Sequence, residues 1–404
     1  MKTERIQSLD LLRGLAVMLI ILFHSSIYNF AKIHLLDFSN PPVIVVLISF
    51  MGLWGGMFII YSMAMNTLML GSATSSDRSF RPFLFLIIAG LIYIAVHFLL
   101  NLFLGRWNVD FVNNQPVLTG TAWLFRNGSL KTPESIKLFD GSSVGTIGMN
   151  LIILSLMLLL IFRKGSMDRS GHFYWIAGLT ATAIMMLSFV RVYWFPFFAG
   201  QIESGNYLTG ILLSFLLANP YPLLPYLAYG IIGVMIGLMI HQQKDHLLRR
   251  FMVPLGMFFL VYGLAGMMNF DKTISKADFF WYFKTHFELG LFIMMIVLCR
   301  FLPAPGSRLL SSLVVIQWFS RVSLTIYLLE TTVSELLRLA GLRIFPGWNE
   351  TINGCLAFGA INILLWVIVL FFWQKTKFKY SLEYFWVILF ERLGKKSTKL
   401  RFGN

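Results

Sequence analysis

The sequence predicts an all-α polytopic membrane protein with about ten transmembrane helices and both termini in the cytoplasm. Hydrophobic residues make up 57% of the 404 residues and charged residues only 13%, whereas a soluble domain carries about 25% charged residues. The mean hydropathy of +0.74 is correspondingly high. Apolar stretches of about 17–25 residues recur along the chain, and each is long enough to cross the hydrocarbon core as a helix.

The predicted spans are long apolar stretches separated by short polar loops, and they cover residues 13–31, 43–70, 83–104, 145–162, 173–195, 222–240, 251–268, 287–302, 322–340 and 354–373. A half-length apolar segment, residues 207–220, precedes the sixth span and is too short to cross the bilayer. The chain thus divides into a transmembrane domain, 1–373, and a basic cytoplasmic tail, 374–404, which is predicted to form an interfacial helix.

The basic residues predict the orientation. Of the 33 lysines and arginines, 22 lie on the side of the two termini and 10 on the opposite side. Because cytoplasmic loops carry the excess of Lys and Arg, the termini are expected in the cytoplasm, with the cell (inner) membrane as the location in a prokaryote. The longest loop, residues 105–144, then lies outside, where such loops bind ligands or act as lids; a packed cap without a ligand is the alternative.

Composition also excludes some classes of partner. The net charge of +15 is spread over loops and the tail, which indicates contact with anionic membrane lipid and not with nucleic acid. The two cysteines, Cys299 and Cys355, lie in apolar runs and form no metal-ligand spacing, so neither a metal site nor a disulfide framework is predicted.

Two polar residues flank the apolar core of the first span. Arg13 and His24 are eleven residues apart, about three helical turns, so they share one helix face with a rise of about 16 Å. A charged residue facing lipid costs about 2.5–3.5 kcal/mol, and His24 is therefore expected to face the bundle interior, where a neutral imidazole can act as a general base. A snorkelling Arg13 and a purely structural His24 are the alternatives.

A second basic pair follows the second span. Arg78 and Arg81 are three residues apart at the start of a predicted helix, so both side chains point to one side. Two guanidiniums at the membrane surface can bind phosphate groups in a bidentate manner. An ordinary cytoplasmic anchor is the alternative.

Further polar residues fall within the later spans. Arg191 either snorkels or holds an anionic group of a substrate. Glu330 and Glu335 lie on different faces of the ninth span, and at least one is expected to pair with a buried cation such as Arg191. His286 and Glu288, at the outer end of the eighth span, form a second candidate acid–base set.

Two more side chains of the ninth span share a helix face. Ser323 and Tyr327 are four residues apart and are predicted to line the same cavity, with packing as the alternative role of Tyr327. His97 in the third span has no acidic neighbour in the sequence and is interpreted as structural.

The ends of the first two spans resemble a known family. The segment RIQSLDLLRGLAVMLIILFH, residues 5–24, resembles the first-span signature of the transmembrane acyltransferase superfamily, and Arg13 and His24 match the R-x10-H pattern of its acyltransferase-3 branch. Arg78 and Arg81 match the R-x-x-R pattern of that branch.

Two later segments are similar to motifs of the same superfamily. Residues 219–238, NPYPLLPYLAYGIIGVMIGL, are similar to the Pro-rich motif of the heparan-α-glucosaminide N-acetyltransferase-like branch. Residues 319–330, FSRVSLTIYLLE, are similar to a late-span motif, G-x-x-S-x-x-x-Y-L, in which Ser320 here stands where glycine is common. The second span, GLWGGMFIIYSMAMN, departs from the phenylalanine-rich form of the acyltransferase-3 branch.

The resemblance implies transfer of an acyl group, usually acetyl, from cytoplasmic acyl-CoA to an extracytoplasmic glycan, amino sugar or lipid-linked sugar. The co-substrate phosphates would then be bound by Arg13, Arg78 and Arg81. His24 would deprotonate the acceptor or take the acetyl group itself, and Asp10 would orient Arg13 through an ion pair.

Several alternatives stay open at this point. The heparan acetyltransferase branch places its catalytic histidine after the first span, where this chain has His34, so His24 and His34 are both candidates. The sequence is also compatible with a transporter or flippase of a glycan or lipid-linked intermediate, and with a non-catalytic scaffold. The oligomeric state is open as well, with a homodimer as one alternative.

Overall fold

The structure is a computed structural model that describes residues 7–35, 42–52, 54–74, 80–105, 108–110, 115–163, 170–218, 220–271, 277–301 and 313–394. Its α-helices are α1 (Gln7–Ser26), α2 (Val43–Gly52), α3 (Gly55–Thr74), α4 (Arg81–Leu99), α5 (Gly120–Asn127), α6 (Ser143–Arg163), α7 (Ser170–Leu187), α8 (Val190–Glu203), α9 (Tyr207–Leu217), α10 (Leu223–His241), α11 (Asp245–Leu247), α12 (Val253–Met267), α13 (Phe279–Phe301), α14 (Val314–Arg321), α15 (Ser323–Ile344), α16 (Ile352–Trp373) and α17 (Leu382–Gly394). Two short strands, β1 (Asn108–Asp110) and β2 (Gln115–Val117), pair antiparallel within the long loop.

The described part of the chain contains seven helices that are long and apolar enough to cross a membrane, or eight if the bent pair α7–α8 is one span. The seven cover Leu9–Asn29, Pro82–Leu104, Ser143–Phe162, Leu223–His241, Asp245–Met267, Phe279–Phe301 and Ile352–Thr376. The protein is therefore a multi-pass helical membrane protein, as the composition predicts. The half-length segment before the sixth span is the 11-residue helix α9.

The two remaining predicted spans have a different form. The apolar stretch at 43–70 is not one helix but forms two, α2 and α3. The stretch at 322–340 falls in α15, which is long enough at 22 residues but carries four charged side chains that lower its hydropathy. Length and composition alone therefore do not establish ten spans.

Helix α10 lies at the centre of the bundle, and 83% of its most apolar stretch is buried. Small residues explain how neighbouring helices come so close. A Cβ on Gly233 would meet the carbonyl oxygen of Ile60, and one on Gly237 would meet that of Ala64. Because backbones can approach closely only where side chains are small, these glycines set the packing of α10 against α3.

Helix α1 packs mainly against α14 and α16, and it also contacts α2 and α15. Gly14 allows the close approach of α14, since a Cβ there would meet the carbonyl oxygen of Ile316. Gly359 of α16 lies in the same way against Leu22. The first helix is thus enclosed by the last helices of the chain, which brings residues some 300 positions apart into contact.

The long loop packs onto α15. Arg126 of α5 donates from Nε to Glu335 at 2.7 Å, and Arg338 donates to the same carboxylate at 2.7 Å. The hydroxyl of Thr331 donates to the Leu104 carbonyl oxygen at 2.8 Å. The described part of the loop is therefore held against the C-terminal half of α15 by one carboxylate that lies between two guanidiniums.

The tail forms the predicted helix, α17, but this helix also packs into the bundle. Trp386 and Leu389 lie against the main hydrophobic core, and α17 contacts both α4 and α15. Glu383, which is outside the membrane-spanning segments, is partly buried by these contacts. Burial raises the pKa of the Glu383 carboxyl, and hydrogen bonds from Thr325 and from the α15 backbone oppose this effect.

This raised pKa predicts a pH-dependent stability. An acid with a raised pKa in the folded chain contributes stability below its ordinary pKa and loses this contribution as the pH rises through the raised value. As the pH rises from about 4.5 toward neutral, the melting temperature of the wild type is expected to fall relative to Glu383→Gln. Thermal unfolding of both proteins in detergent measures the difference, and a difference that stays constant with pH would contradict the expectation.

Candidate functional site

The inward face of α1 carries a charged network at the level of Arg13. Arg13 donates from Nε to the Ser320 hydroxyl at 2.8 Å, and its Nη2 lies 3.4 Å from Asp10 Oδ1. The guanidinium carbon is 4.5 Å from the centroid of the Tyr61 ring. Arg13 therefore faces the bundle and not lipid, and the predicted ion pair between Asp10 and Arg13 is present.

Asp10 is the centre of this network. Its Oδ1 accepts hydrogen bonds from the hydroxyls of Tyr61 and Ser320, each at 3.1 Å. The Asp10 side chain is buried, and a buried carboxylate costs free energy unless it is paired and hydrogen-bonded. Two hydroxyls and one guanidinium meet this requirement, so the network holds Arg13 in a fixed position between α1, α3 and α14.

Further along the same face of α1, His24 contacts a carboxylate. Its Nδ1 lies against Oε1 of Glu330 on α15, and both side chains are buried. A carboxylate on Nδ1 fixes the imidazole orientation and favours the tautomer with the lone pair on Nε2, as in a catalytic dyad. Among the described residues, Oε2 of Glu330 has no hydrogen-bond partner.

The partner of Glu330 differs from the expectation. Arg191, which was expected to pair with one of the two glutamates, instead donates from Nε to the Leu217 carbonyl oxygen at 2.7 Å and lies 4.0 Å from the Trp281 ring centroid. Arg191 was one example of such a cation, and the cations found at Glu335 are others, on α5 and α15. Glu335 does pair with a buried cation, Arg338, and also with the half-buried Arg126.

A cavity of about 170 Å³ lies between the Arg13 network and the His24–Glu330 pair. It lies between α1, α3, α4, α6 and α15, and both Arg13 and Glu330 line it. On α1 the wall runs from Arg13 to Ile21, about 12 Å of helix rise, and His24 lies behind Glu330, which it contacts, and does not line the cavity itself. Most of the wall between these ends is apolar.

The predicted pair on α15 lines this cavity. Ser323 and Tyr327 both contribute to the wall, which confirms that they share one cavity. The Ser143 hydroxyl of α6 donates to the hydroxyl of Tyr327 at 3.1 Å, and so fixes the phenol on the cavity wall. Their role toward a substrate remains a prediction.

The other sequence candidates are only partly described. Arg78 lies outside the described residues. Arg81 is the first residue of α4, and His34 lies in the 3-10 turn Ile33–Leu35, but the side chains of both are outside the described part. The phosphate-binding role of the R-x-x-R segment and the choice of His34 over His24 therefore stay as predictions.

His286 and Glu288 do not form the expected acid–base set. Their side chains leave α13 in different directions, because residues two apart on a helix are separated by about 200°. Glu288 lies 3.2 Å from Lys284 and accepts from the Tyr226 hydroxyl at 3.5 Å, whereas His286 Nδ1 lies 2.8 Å from the Tyr282 carbonyl oxygen. The two residues therefore have separate partners, which corrects the expectation that they form one acid–base set.

The structural interpretation of His97 agrees with its surroundings. It is buried, its Nδ1 lies 2.7 Å from the Ser142 hydroxyl, and its ring packs on Phe98 and Phe215. His97 does not line the cavity.

The sequence did not lead us to predict that α3 forms one side of the cavity. Tyr61, Ser62, Met65 and Asn66 all line it, and their spacing of one, three and one residues places them on one helix face. Polar residues at this spacing inside an apolar stretch were the available signal.

Comparisons with known proteins give no match to the chain among family models, curated proteins or solved structures. The fold and site thus define a class: a multi-pass helical membrane protein with a mainly apolar cavity that is lined by Arg13 and by Glu330 of a buried His–Glu pair. A fold of this class can host many functions, and the chemistry of the site distinguishes among them.

Proposed function

We propose that this protein is a membrane-embedded, acyl-CoA-dependent acyltransferase that moves an acyl group, in the simplest case acetyl, to an extracytoplasmic glycan or amino-sugar acceptor. The observation that carries this proposal is one cavity lined by both Arg13 and Glu330, with His24 in contact with the Glu330 carboxylate. A cation suited to phosphate and a base suited to proton transfer are the two groups that acyl transfer from coenzyme A requires.

In this proposal the Arg13 end of the cavity faces the cytoplasm, as the Lys and Arg distribution predicts. Coenzyme A is a polyanion that stays on that side of the membrane. Arg13 keeps part of its guanidinium exposed, with a side-chain exposure of 20%, and can offer N–H donors to a phosphate or to the pantetheine arm. Arg78 and Arg81 would add phosphate contacts at the membrane surface.

The size of the cavity limits what it can hold. Its volume of about 170 Å³ is below the roughly 300–1,000 Å³ of pockets that enclose a whole ligand. We therefore expect only the thioester end of acyl-CoA to enter, with the nucleotide outside. A small acyl group such as acetyl suits this space and its mainly apolar wall.

The proposed reaction uses the His24–Glu330 pair as the base. His24 Nε2 takes the proton of the acceptor hydroxyl or amine, and the acceptor oxygen or nitrogen attacks the thioester carbonyl carbon. The carbon–sulfur bond breaks, and the proton passes to the coenzyme A thiolate as it leaves. Glu330 stabilises the imidazolium that forms between these two steps. Transfer through an acetyl-His24 intermediate is an alternative route to the same product.

Interrupted helices favour a second candidate, a transporter or flippase. The pair α7–α8 bends by 57° at its break, and α14 and α15 are separated by the non-helical Val322. Broken helices near the bilayer midplane are typical of secondary transporters. This alternative predicts movement of a glycan or lipid-linked sugar across the membrane without acyl transfer.

An assay in proteoliposomes distinguishes the two candidate functions. Purified protein is reconstituted with radiolabelled acetyl-CoA on one side and extracted membrane glycolipids or soluble glycans on the other. Acyl transfer predicts labelled acceptor that appears only when both substrates and the protein are present. Translocation of a fluorescent lipid-linked sugar without label transfer would establish the transporter instead.

A substitution at Arg13 tests the co-substrate end of the site. Arg13→Lys keeps the charge but loses the Nε contact to Ser320 and the planar fork that binds phosphate in a bidentate manner. The KM for acetyl-CoA is expected to rise by about tenfold or more, because a charge-assisted hydrogen bond contributes about 1.5–3 kcal/mol, with a smaller change in kcat. Arg343→Lys, at an exposed position of the same protein, is the matched control, and an unchanged KM in Arg13→Lys would contradict the assignment.

A further inference from the structure

The wall of the cavity that α15 provides begins at a helix break. Val322, between α14 and α15, has φ −126° and ψ 35°, which is not helical. Ser323, Leu324, Ile326, Tyr327 and Glu330, all within the first two turns of α15 or just beyond, line the cavity. The first backbone N–H groups of a helix have no partner within that helix, so whatever binds them also fixes the direction of this wall.

The tail helix α17 supplies that partner. Glu383 Oε1 accepts hydrogen bonds from the backbone N–H of Leu324 at 2.6 Å and of Thr325 at 3.3 Å. Glu383 Oε2 accepts from the Thr325 hydroxyl at 2.6 Å, and the same hydroxyl accepts from the backbone N–H of Leu382 at 2.8 Å. An acidic side chain at a helix N-terminus also interacts favourably with the helix dipole.

The same tail helix also contacts the part of the cavity wall that α4 forms. Trp386 stacks on Tyr93 of α4, with ring centroids 5.5 Å apart and an interplanar angle of 12°. It also meets the ring of Phe85 edge-on at 6.0 Å. Tyr93 lines the cavity. Within four residues, α17 therefore contacts both α15 and α4 at the places where each forms the cavity wall.

We propose that α17 is a part of the acyl-transfer site, in which Glu383 and Trp386 are positioning residues that hold α15 and α4 together around the thioester. The inference rests on the proposed acyltransferase function for its chemistry and on the α17 contacts for its geometry. Neither residue touches the substrate. Their effect is to keep the cavity narrow, so that the acceptor and not water reaches the thioester carbonyl carbon.

The test compares Glu383→Ala and Trp386→Ala with wild type in proteoliposomes. Two products of acetyl-CoA are counted: acetylated acceptor, and free acetate from attack of water on the thioester, which releases coenzyme A. Both variants are expected to lower kcat for transfer by about tenfold and to raise the ratio of acetate to acetylated acceptor several-fold. A role in folding alone would reduce the amount of active protein and leave this ratio unchanged.

Matched variants on the same helix serve as controls. Glu391→Ala and Phe385→Ala remove a carboxylate and an exposed aromatic ring from α17 without touching the cavity wall, and both are expected to behave as wild type. Trp386→Phe, which keeps an aromatic ring against Tyr93, is expected to restore most of kcat and the low acetate ratio. Wild-type kcat and product ratio in both alanine variants would overturn the proposal.

Hydrogen exchange separates this inference from the proposed function. In Glu383→Ala, the amides of the first turn of α15 are expected to exchange faster, while those of α10 stay protected. If the wild type transfers no label, the acyltransferase proposal fails, and the exchange result alone then decides whether α17 holds the cavity wall. Unchanged exchange at Leu324 and Thr325 would overturn the positioning role.

Discussion

Replacing His24 with alanine is expected to reduce acetyl transfer by about 10²–10⁴-fold, which in a membrane assay amounts to loss of activity. General base catalysis contributes about 10²–10⁴-fold, and His24 is the imidazole of α1 that contacts the Glu330 carboxylate beside the cavity. Without it, the acceptor keeps its proton in the attack on the thioester. The measurement is label transfer from acetyl-CoA to acceptor, normalised to folded protein.

The control variants decide whether this loss is specific. His172→Ala changes an exposed histidine at the start of α7 and is expected to keep full activity. His34→Ala tests the alternative catalytic residue. Full activity in His24→Ala together with an inactive His34→Ala would transfer the catalytic role to His34.

Glu330→Gln is expected to lower kcat by about 10²-fold with little change in the KM for acetyl-CoA. The amide is nearly isosteric but cannot stabilise an imidazolium by its charge, so the proton transfer becomes less favourable. Glu203→Gln, at an exposed position, is the matched control. Equal kcat values for Glu330→Gln and wild type would remove Glu330 from the mechanism.

The double variant tests whether the two residues act as one unit. Residues that act as a unit are strongly non-additive, so Glu330→Gln is expected to have little further effect on activity in a His24→Ala background. The free energy of unfolding is expected to change differently: Glu330→Gln should raise it in the His24→Ala background. Loss of His24 leaves the Glu330 carboxylate buried without its partner, which costs about 1–3 kcal/mol or more for a charged group, and the amide should recover part of this cost. Additive losses of activity would show that the residues work separately.

The sequence by itself determined the class of the protein and the layout of its first helix. Hydrophobicity acts over the length of one span, so multi-pass helical architecture could be read directly from the apolar stretches. Helical periodicity placed Asp10, Arg13 and His24 on α1, and it placed Ser323 and Tyr327 together on the cavity wall. All of these relations hold within about four turns of a single helix.

Only the tertiary structure decided which groups meet across the bundle. Glu330 lies 306 positions from His24, and neither periodicity nor composition could select His24 over Arg191 as the partner of Glu330. The same holds for Glu383 at the start of α15 and for the separation of His286 from Glu288. Local pattern specifies the face that a side chain occupies, whereas its neighbour depends on how whole helices pack, through close contacts such as Gly14 against Ile316 that are set by shape and not by sequence distance.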